Sequence, residues 1–593
     1  MSTKENYDVL IIGAGLAGLA LARQLLLNTD KSILLIDRRT EFPPAKQKVG
    51  EATVQMSAYY FSKVLDLEEH LLREHFVKYN LRFYWKTPKR ANDCYEHYSQ
   101  AYITKLSNIN TYQLDRNKLE GEMLNLNLES KNFQFQPGTS DLDVTLTEDG
   151  GRHSFRFKTK GAEVSGSAAW VVDTSGRGKF LARKIELTRE SPIRHGAHFF
   201  WVEGLLNIEK LTTLSPQQIR TRPDRKALGH LPVWLSTNHF CGEGFWFWVI
   251  PLHGKTSLGL VYDNQIFPRE RVDTLQKLID WVCDEFPLFA RDLPYRRVLH
   301  HTALKDFAYD CAQTISPSRW AIAGEAGRFS DPLYSPGGDL IALYNTFITD
   351  AIKTDRDAEL ANKCALYEQL MQAVYQAYVP SYAISYDTLG DQESFTMKYS
   401  WELAIYFAFF VFPFINDLFT DRRFIGAFIL HFSQLGPINK NLQAFISAYY
   451  QWKKTTRQRP AKIIYNDFTE IAGLFRAEKT FYEVGVSAEQ ARKVLAQQLV
   501  SLREMALFIA AHISASVLGE NRALVNRPFV EGIDLNRLRF DPAELRDRYA
   551  ACEDSSETYE WSFDPCVLRG FVDEASPVED EVEAELFAGV GGD

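Results

Sequence analysis

A chain of 593 residues is too long for one hydrophobic core, so roughly two or three structural units are expected. Its hydrophobic content of 45% and charged content of 24% are those of a soluble globular protein. A net charge of −9 leaves no basic face dense enough to track phosphates, which excludes nucleic acid as a partner. Seven cysteines (Cys94, Cys241, Cys283, Cys311, Cys364, Cys552 and Cys566) form no CxxC pair and no metal-ligand spacing. Such an odd, scattered set fits reduced thiols in a cytoplasmic protein and predicts neither a disulfide framework nor a metal centre. No signal peptide is read ahead of the first strand, which begins by about residue 7. The 40 Phe, 27 Tyr and 11 Trp point to a large aromatic-lined interior.

The run Tyr7-Asp-Val-Leu-Ile-Ile reads as a buried strand, and the stretch from Leu16 to Gln24 as a helix. Between them Gly13 permits a tight turn, Gly15 lets backbone approach a pyrophosphate, and Gly18 lets helix pack on strand. Ala14 in the turn and Ala17 in the first turn of the helix belong to the same phosphate-facing segment. The helix would turn its free N–H groups and positive dipole end toward the phosphates. A second apolar strand ends at Asp37, 19 residues past Gly18, placed to accept from a ribose hydroxyl, with Arg38 beside it. Strand, glycines, helix, strand and acid in that order specify a dinucleotide site.

Beyond a helix expected over Thr53 to Leu67, the pattern shortens to alternating strands from Asn80 to about Ser107 and from Gly150 to Leu260. Leu81 to Trp85, Ser154 to Lys158, His198 to Val202 and Thr256 to Tyr262 are such strands, expected to form an antiparallel sheet walling a substrate chamber. Phe245-Trp246-Phe-Trp248-Val-Ile250-Pro251 would place Trp246, Trp248 and Ile250 on one face, with Pro251 ending the pairing. Trp170-Val-Val-Asp173-Thr-Ser-Gly176 and Arg319-Trp-Ala-Ile-Ala-Gly324-Glu325 are two more strands running into turns. After about residue 355 the chain reads as helical, with Ser487-Ala-Glu-Gln490 a capping box opening a long amphipathic helix. Within Trp401 to Phe419, the run from Ile405 to Ile415 is apolar over 11 residues but carries Pro413 and is too short to span a bilayer. It reads as a buried helix or the greasy roof of a substrate cavity, with a peripheral membrane contact or a docking surface as the other reading, and no transmembrane segment is expected. The Glu- and Asp-rich end reads as an acidic tail.

The glycine motif, Tyr112-Gln-Leu-Asp-Arg116, the Asp173 turn and Gly324-Glu325-Ala-Gly-Arg-Phe-Ser-Asp331-Pro332 together resemble the FAD-dependent monooxygenase-like flavoproteins. The resemblance implies FAD. It puts the acid after Gly324 on the ribityl or ribose region, with Glu325 standing where Asp is usual, and Arg116 on the phosphate or adenosine side. Glu51, Ala52, Asp173, Asp331 and Pro332 would complete the cofactor contacts. The implied fold is an α/β Rossmann-type FAD-binding domain (1–80, 110–190 and 300–355), an antiparallel β-sheet substrate domain (81–110 and 190–300), a mainly α-helical C-terminal domain (356–575) and the tail (576–593).

Within that superfamily, Trp246-Phe-Trp248-Val-Ile250-Pro251 matches the W-x-W-x-I-P element of flavin-dependent halogenases. Gly50-Glu51-Ala52-Thr53 resembles their G-E-[AS]-T segment, and Asp331-Pro332-Leu-Tyr334-Ser335-Pro336-Gly337-Gly338 their D-P-x-x-S-x-G loop. The resemblance spans residues 7 to about 350. It implies that reduced FAD from a separate flavin reductase forms a C4a-hydroperoxide with oxygen, and that chloride or bromide attacks it to give hypohalous acid. The halide would lie on the amides of Gly337 and Gly338, since Pro336 has none to offer. The acid would pass the Trp246/Trp248 wall to a lysine that directs halogen onto an electron-rich arene, with Ser335 polarising the halogen species or positioning the amine.

Lys78, 27 residues after Glu51, is the position expected for that lysine, with Arg82 and Lys86 as neighbours. Tyr334, where tryptophan-type members carry Glu, disfavours free tryptophan. A phenol, pyrrole or polyketide-like substrate, free or on a carrier protein, is expected instead. Two other readings stay open on sequence alone. One is a flavin monooxygenase or oxidase acting directly on an organic substrate; the other is a flavin-holding protein without chemistry, serving a biosynthetic assembly.

Overall fold

The computed structural model describes residues 6–571 except 149, 223 and 458, so the expected acidic tail lies outside the described residues. Two eight-stranded sheets and a helical mass make up the molecule. The first sheet runs Ile315–Ser316, Trp320–Ile322, Ala162–Asp173, Asn6–Ile12, Ile33–Ile36, Phe133–Gln136, with the hairpin Ser140–Thr145/His153–Thr159 joined to the long third strand. From Trp320–Ile322 to Phe133–Gln136 every pairing is parallel. Both faces are covered, so Val9, Leu10, Ile11, Leu34 and Leu35 are wholly buried and the strands are unbroken apolar runs.

The turn between Asn6–Ile12 and the helix Leu16–Asn28 needs its glycines for different reasons. Gly13 has φ +105°, and a Cβ there would stand 2.6 Å from the Thr174 carbonyl oxygen. A Cβ on Gly18 would collide with the Gly13 carbonyl, whereas one on Gly15 would meet nothing within 4 Å. Gly15 thus leaves open space where a ligand's backbone approach is required.

The second sheet runs Val298–Leu304, His195–Glu203, Lys255–Asp263, Phe245–Leu252, Thr237–Gly242, Leu81–Lys86, Tyr98–Tyr102, Tyr465–Asp467. It is mostly antiparallel, but not purely as the sequence suggested: Thr237–Gly242 pairs parallel with Leu81–Lys86, and Tyr465–Asp467 pairs parallel with Tyr98–Tyr102. Parallel neighbours need long crossovers, and the intervening domain-sized segments supply them. Pro251 also departs from expectation, because pairing with Lys255–Asp263 continues through it to Leu252. On the other side the partner strand reaches only as far as Val249, so the missing N–H of Pro251 is not called upon.

Four long helices, Asp357–Ala383, Gln392–Tyr406, Arg422–Thr456 and Ala488–Leu518, dominate the rest. The capping box of Ser487 and Gln490 is formed as read, and Gly519 at φ +74° ends that helix. Among the described residues Ala488–Leu518 is the one helix long and apolar enough to cross a membrane; half of its apolar window is buried, and it packs on Arg422–Thr456. Lys453 pairs with Asp391 and Glu393, and His512 with Glu393, which pins three of these helices together. The residues expected from Thr53 to Leu67 form a short helix, Gln55–Tyr59, that widens into a π turn over Tyr60–Val64. All seven cysteines are free.

Two substitutions separate cofactor holding from stability. Ser487→Ala should cost about 1 kcal/mol in chemical unfolding and leave bound flavin absorbance unchanged. Gly18→Ala should cost at least as much and also abolish that absorbance, because helix and turn must part to admit the methyl group.

Candidate active site

Two adjoining cavities lie between the sheets and the helices. The first is lined by Leu16, Glu51, Trp246, Trp248, Glu325 and Gly337 among others. The second, of about 240 Å³, is lined by Lys78, Tyr334, Asp339, Tyr399, Glu402 and the roof residues around Phe407. The loop 331–338 divides them. Pro332, Ser335, Gly337 and Gly338 border the first cavity, while Tyr334 and Pro336 border the second.

Consecutive residues Tyr334 (φ +70°) and Ser335 (φ +60°) are both left-handed, an arrangement that persists only where surroundings over-determine it. Those surroundings are visible. Asp331 pairs with His195 at 2.6 Å, caps Leu333 N–H at 2.8 Å, and lies 3.3 Å from the Tyr386 hydroxyl. Tyr386 in turn accepts from the Trp246 indole at 2.6 Å, and the Tyr382 hydroxyl donates to the Leu333 carbonyl. Asp331, expected as a cofactor contact, is fully buried in this network and turned toward His195. The Asp173 carboxylate likewise has partners within the protein, accepting from the backbone N–H groups of Ser175 and Leu181 in its own turn.

The remaining first-cavity residues stand as follows. Asp37 accepts from Ala14 N–H at 2.7 Å and is gripped by Arg39, not by Arg38, which is exposed. Arg116 borders the cavity with its guanidinium on the Val49 carbonyl and Glu120. Gly324 has φ +59°, with Ala17 packed 3.0 Å from where its Cβ would be. Ala52 borders the cavity too. The Glu325 backbone carbonyl accepts from the Tyr309 hydroxyl, but its carboxyl makes no hydrogen bond to the described residues; burial pushes that carboxyl up against the pull of the Arg177 and Arg116 charges.

Glu51 is buried and accepts from the Trp201 indole, Ser257 and Gln47, and desolvation pushes it up to about 7. Ser257 also accepts from the Trp248 indole at 3.1 Å, so Glu51 braces the wall through it. Trp246 and Trp248 stand 5.7 Å apart on one face with Ile250, as the alternation predicted. Gly337 and Gly338 prove to be the first residues of a 16-residue helix, Gly337–Ile352, so their N–H groups have no intrahelical acceptor, and both residues border the cavity at the positive end of the helix dipole. Open space at Gly15, the free carboxylate of Glu325 and this helix terminus fit FAD with an anion beside it.

In the second cavity, Lys78 ends the strand Phe76–Lys78 with its side chain 3% exposed and Nζ without a hydrogen-bond partner. Burial lowers its ammonium to about 7, opposed only by the charge of Asp339. Asp339 accepts from Ser57 N–H at 2.8 Å with one oxygen, leaves the other free, and is raised by burial to about 6. Of the neighbouring positions weighed for this role, Arg82 reaches Gln100 and the Tyr102 ring, and Lys86 pairs with Glu285 at the surface. Asp339 and Glu402 were missed by motif reading, although Asp339 directly follows the glycine pair. The outer wall is built from Asp357–Ala383 and Arg422–Thr456, each with an internal proline, Pro380 and Pro437. The cavity reaches the surface beside Gln376 and Ser433. Asp93, Cys94 and His97 converge elsewhere as a group of potential metal ligands, but the Arg291 guanidinium already binds Asp93 and the Cys94 sulfur.

No family model matches the chain. It is 24% identical over 429 residues to the flavin-dependent halogenase chlA of Dictyostelium discoideum, covering 68% of this chain and 70% of that one. It is also 24% identical over 360 residues to a 1H-pyrrole-2-carbonyl peptidyl-carrier-protein brominase of Pseudoalteromonas luteoviolacea, covering 60% and 79%. Among solved structures, halogenase PltM shares the fold with a TM-score of 0.57 at 16% identity, over 84% of this chain and 96% of that one. The curated relatives that the chain resembles are flavin-dependent halogenases, and it shares the fold of a solved one.

Proposed function

We propose that the protein halogenates an electron-rich aromatic compound, using FAD reduced by a separate reductase, dioxygen, and chloride or bromide. The observation that carries this reading is the unpartnered, desolvated amine of Lys78 in a chamber of its own, divided from the flavin-side cavity by a strained loop. The reduced cofactor, when bound, supplies the oxidising equivalent that turns halide and oxygen into hypohalous acid.

The protein's part is containment. The first-turn amides at Gly337 and Gly338 hold the halide, and the Trp246/Trp248 wall keeps the organic substrate from the oxidant's source. Ser335 borders the halide side of the loop and hands the halogen species across. Lys78, held near 7 by burial, is largely neutral at mildly alkaline pH and presents a lone pair to the electrophilic halogen. The substrate arrives free or on a carrier protein; among relatives, a solved structure of PltM holds phloroglucinol and FAD, and the Pseudoalteromonas enzyme is named for a carrier-bound pyrrole.

Incubation with flavin reductase, NADH, FAD, bromide and a panel of phenols and pyrroles should give products carrying the mass of bromine. A +16 shift instead would mean direct oxygenation. Lys78→Ala should leave flavin reoxidation intact and lower halogenated product at least about 100-fold. Wild-type turnover should rise as pH climbs through about 7, where the amine loses its proton. The stability linkage has a defined sign: between about 7 and 10.5 the unfolded chain keeps a proton on Lys78 that the folded chain does not. Stability therefore rises with pH across that window, and Lys78→Met should flatten the rise while stabilising the protein at pH 7 in urea titrations.

A further inference from the structure

The imidazole of His239 takes no part in the steps above, although it borders the flavin-side cavity with Trp246 and Ser335. It is 1% exposed and lies in the strand Thr237–Gly242, opposite Phe83 on one side and Trp248 of the wall on the other. Phe83 stacks on its ring with centroids 4.7 Å apart, and the Trp246 ring stands 5.1 Å away. That strand is joined to the Lys78 segment: Tyr79 N–H donates to the Leu235 carbonyl, and Thr237 N–H to the Asn80 carbonyl. His239 and Lys78 therefore approach the partition from adjoining segments, and the Lys78 charge reaches the ring.

The neighbours settle which nitrogen carries the proton. Nδ1 lies 3.0 Å from the Arg82 carbonyl, and the Thr237 carbonyl is also close to the ring. A carbonyl only accepts, so Nδ1–H donates to it and Nε2 keeps a bare lone pair. Burial, helped by the Lys78 charge, holds the imidazolium down at about 3, so the ring stays neutral at working pH. Hypohalous acid has two unlike ends, an O–H that donates and a halogen that takes a lone pair. Lys78 offers its lone pair to the halogen. The other end needs an acceptor too weak a base to strip the proton, because hypohalite is a much poorer electrophile. We propose that His239 Nε2 accepts from the O–H of hypohalous acid and so turns its halogen toward Lys78; this rests on the halogenase reading above.

With the acid so held, Lys78 Nζ attacks the halogen. An N–X bond forms, the X–O bond breaks, and its electron pair leaves with oxygen as hydroxide. Hydroxide then takes one proton from the halogenated ammonium and becomes water. Hypohalous acid and amine give haloamine and water, and His239 begins and ends neutral.

The test uses the FAD-loaded protein with reductase, NADH and bromide but no organic acceptor, so that halogen collects on Lys78. Protein-bound active halogen is titrated with thiol after rapid gel filtration, with Lys78→Met as the blank. Halogen lost to solution is caught by monochlorodimedone, and both are counted per flavin reoxidised. His239→Phe keeps a ring against Phe83 and Trp246 but has no acceptor. His239→Gln gives up the ring yet brings a donor and an acceptor in one amide. The Phe variant should lower bound halogen at least about ten-fold, the scale of one hydrogen bond to a buried group, and raise the trapped share. The Gln variant should retain more than the Phe variant, whereas a residue needed only for packing would give the reverse order. Equal partition in all three proteins, Gln at or below Phe, or wild-type halogen found only in solution would overturn the proposal. A wild type that yields active halogen in neither place would refute the halogenase reading, and the proposal with it. A second readout needs no turnover: histidine 15N spectra of the resting FAD-loaded protein at neutral pH should contain a ring protonated at Nδ1 that vanishes in His239→Gln. If the signal lost is that of a ring protonated at Nε2, the proposal fails whatever the variants do in turnover.

Discussion

One buried pair, Asp331 with His195, fixes the geometry on which the two chambers depend. His195 opens a strand of the second sheet, Asp331 follows the last parallel strand of the first, and Tyr386 brings in the helical mass. Because Tyr386 also receives the Trp246 indole, wall and partition are braced through a single carboxylate. Two left-handed residues in succession would otherwise relax at a gain of roughly 1–3 kcal/mol each. The network keeps them in place, so Ser335 borders one chamber and Tyr334 the other.

The desolvation of Lys78 belongs to the same design. An amine with no partner deep in the protein is costly when charged, and the fold offers it only the distant relief of Asp339. That cost is what favours its neutral form near physiological pH. Lys453, at a similar depth, shows the opposite arrangement: two carboxylates surround it, so it stays charged and serves the architecture.

What could be read from sequence was local. The glycine turn, the Trp246/Trp248 face and the Ser487 cap each depend on residues a few positions apart, and each formed as read. Lys78 was placed by its distance from a motif; Arg82 is as deeply buried but reaches Gln100 and the Tyr102 ring, and Lys86 lies in an ion pair with Glu285, so Lys78 alone of the three has an amine without a partner. What escaped was set by distant pairing. Nothing near Asp331 announces His195, which lies 136 residues away. Arg39 rather than Arg38 meets Asp37 because of the direction the chain takes after the strand, which composition does not reveal. Tyr465–Asp467 joins the second sheet only because the helices return the chain to its edge. Glu402 stands three residues ahead of the apolar run Ile405–Ile415, whose character drew attention away from it.

The prolines in the outer wall have a consequence of their own. Pro380 and Pro437 carry no N–H, so the backbone oxygens four residues earlier, at Gln376 and Ser433, are deprived of their usual helical donor. Both of those residues are exposed and border the second chamber. The doorway therefore carries two carbonyls free to take hydrogen bonds from solvent, while the room behind it is lined largely by aromatic rings. A molecule passing inward would leave that hydrated threshold for a mostly apolar interior and lose its own water on the way.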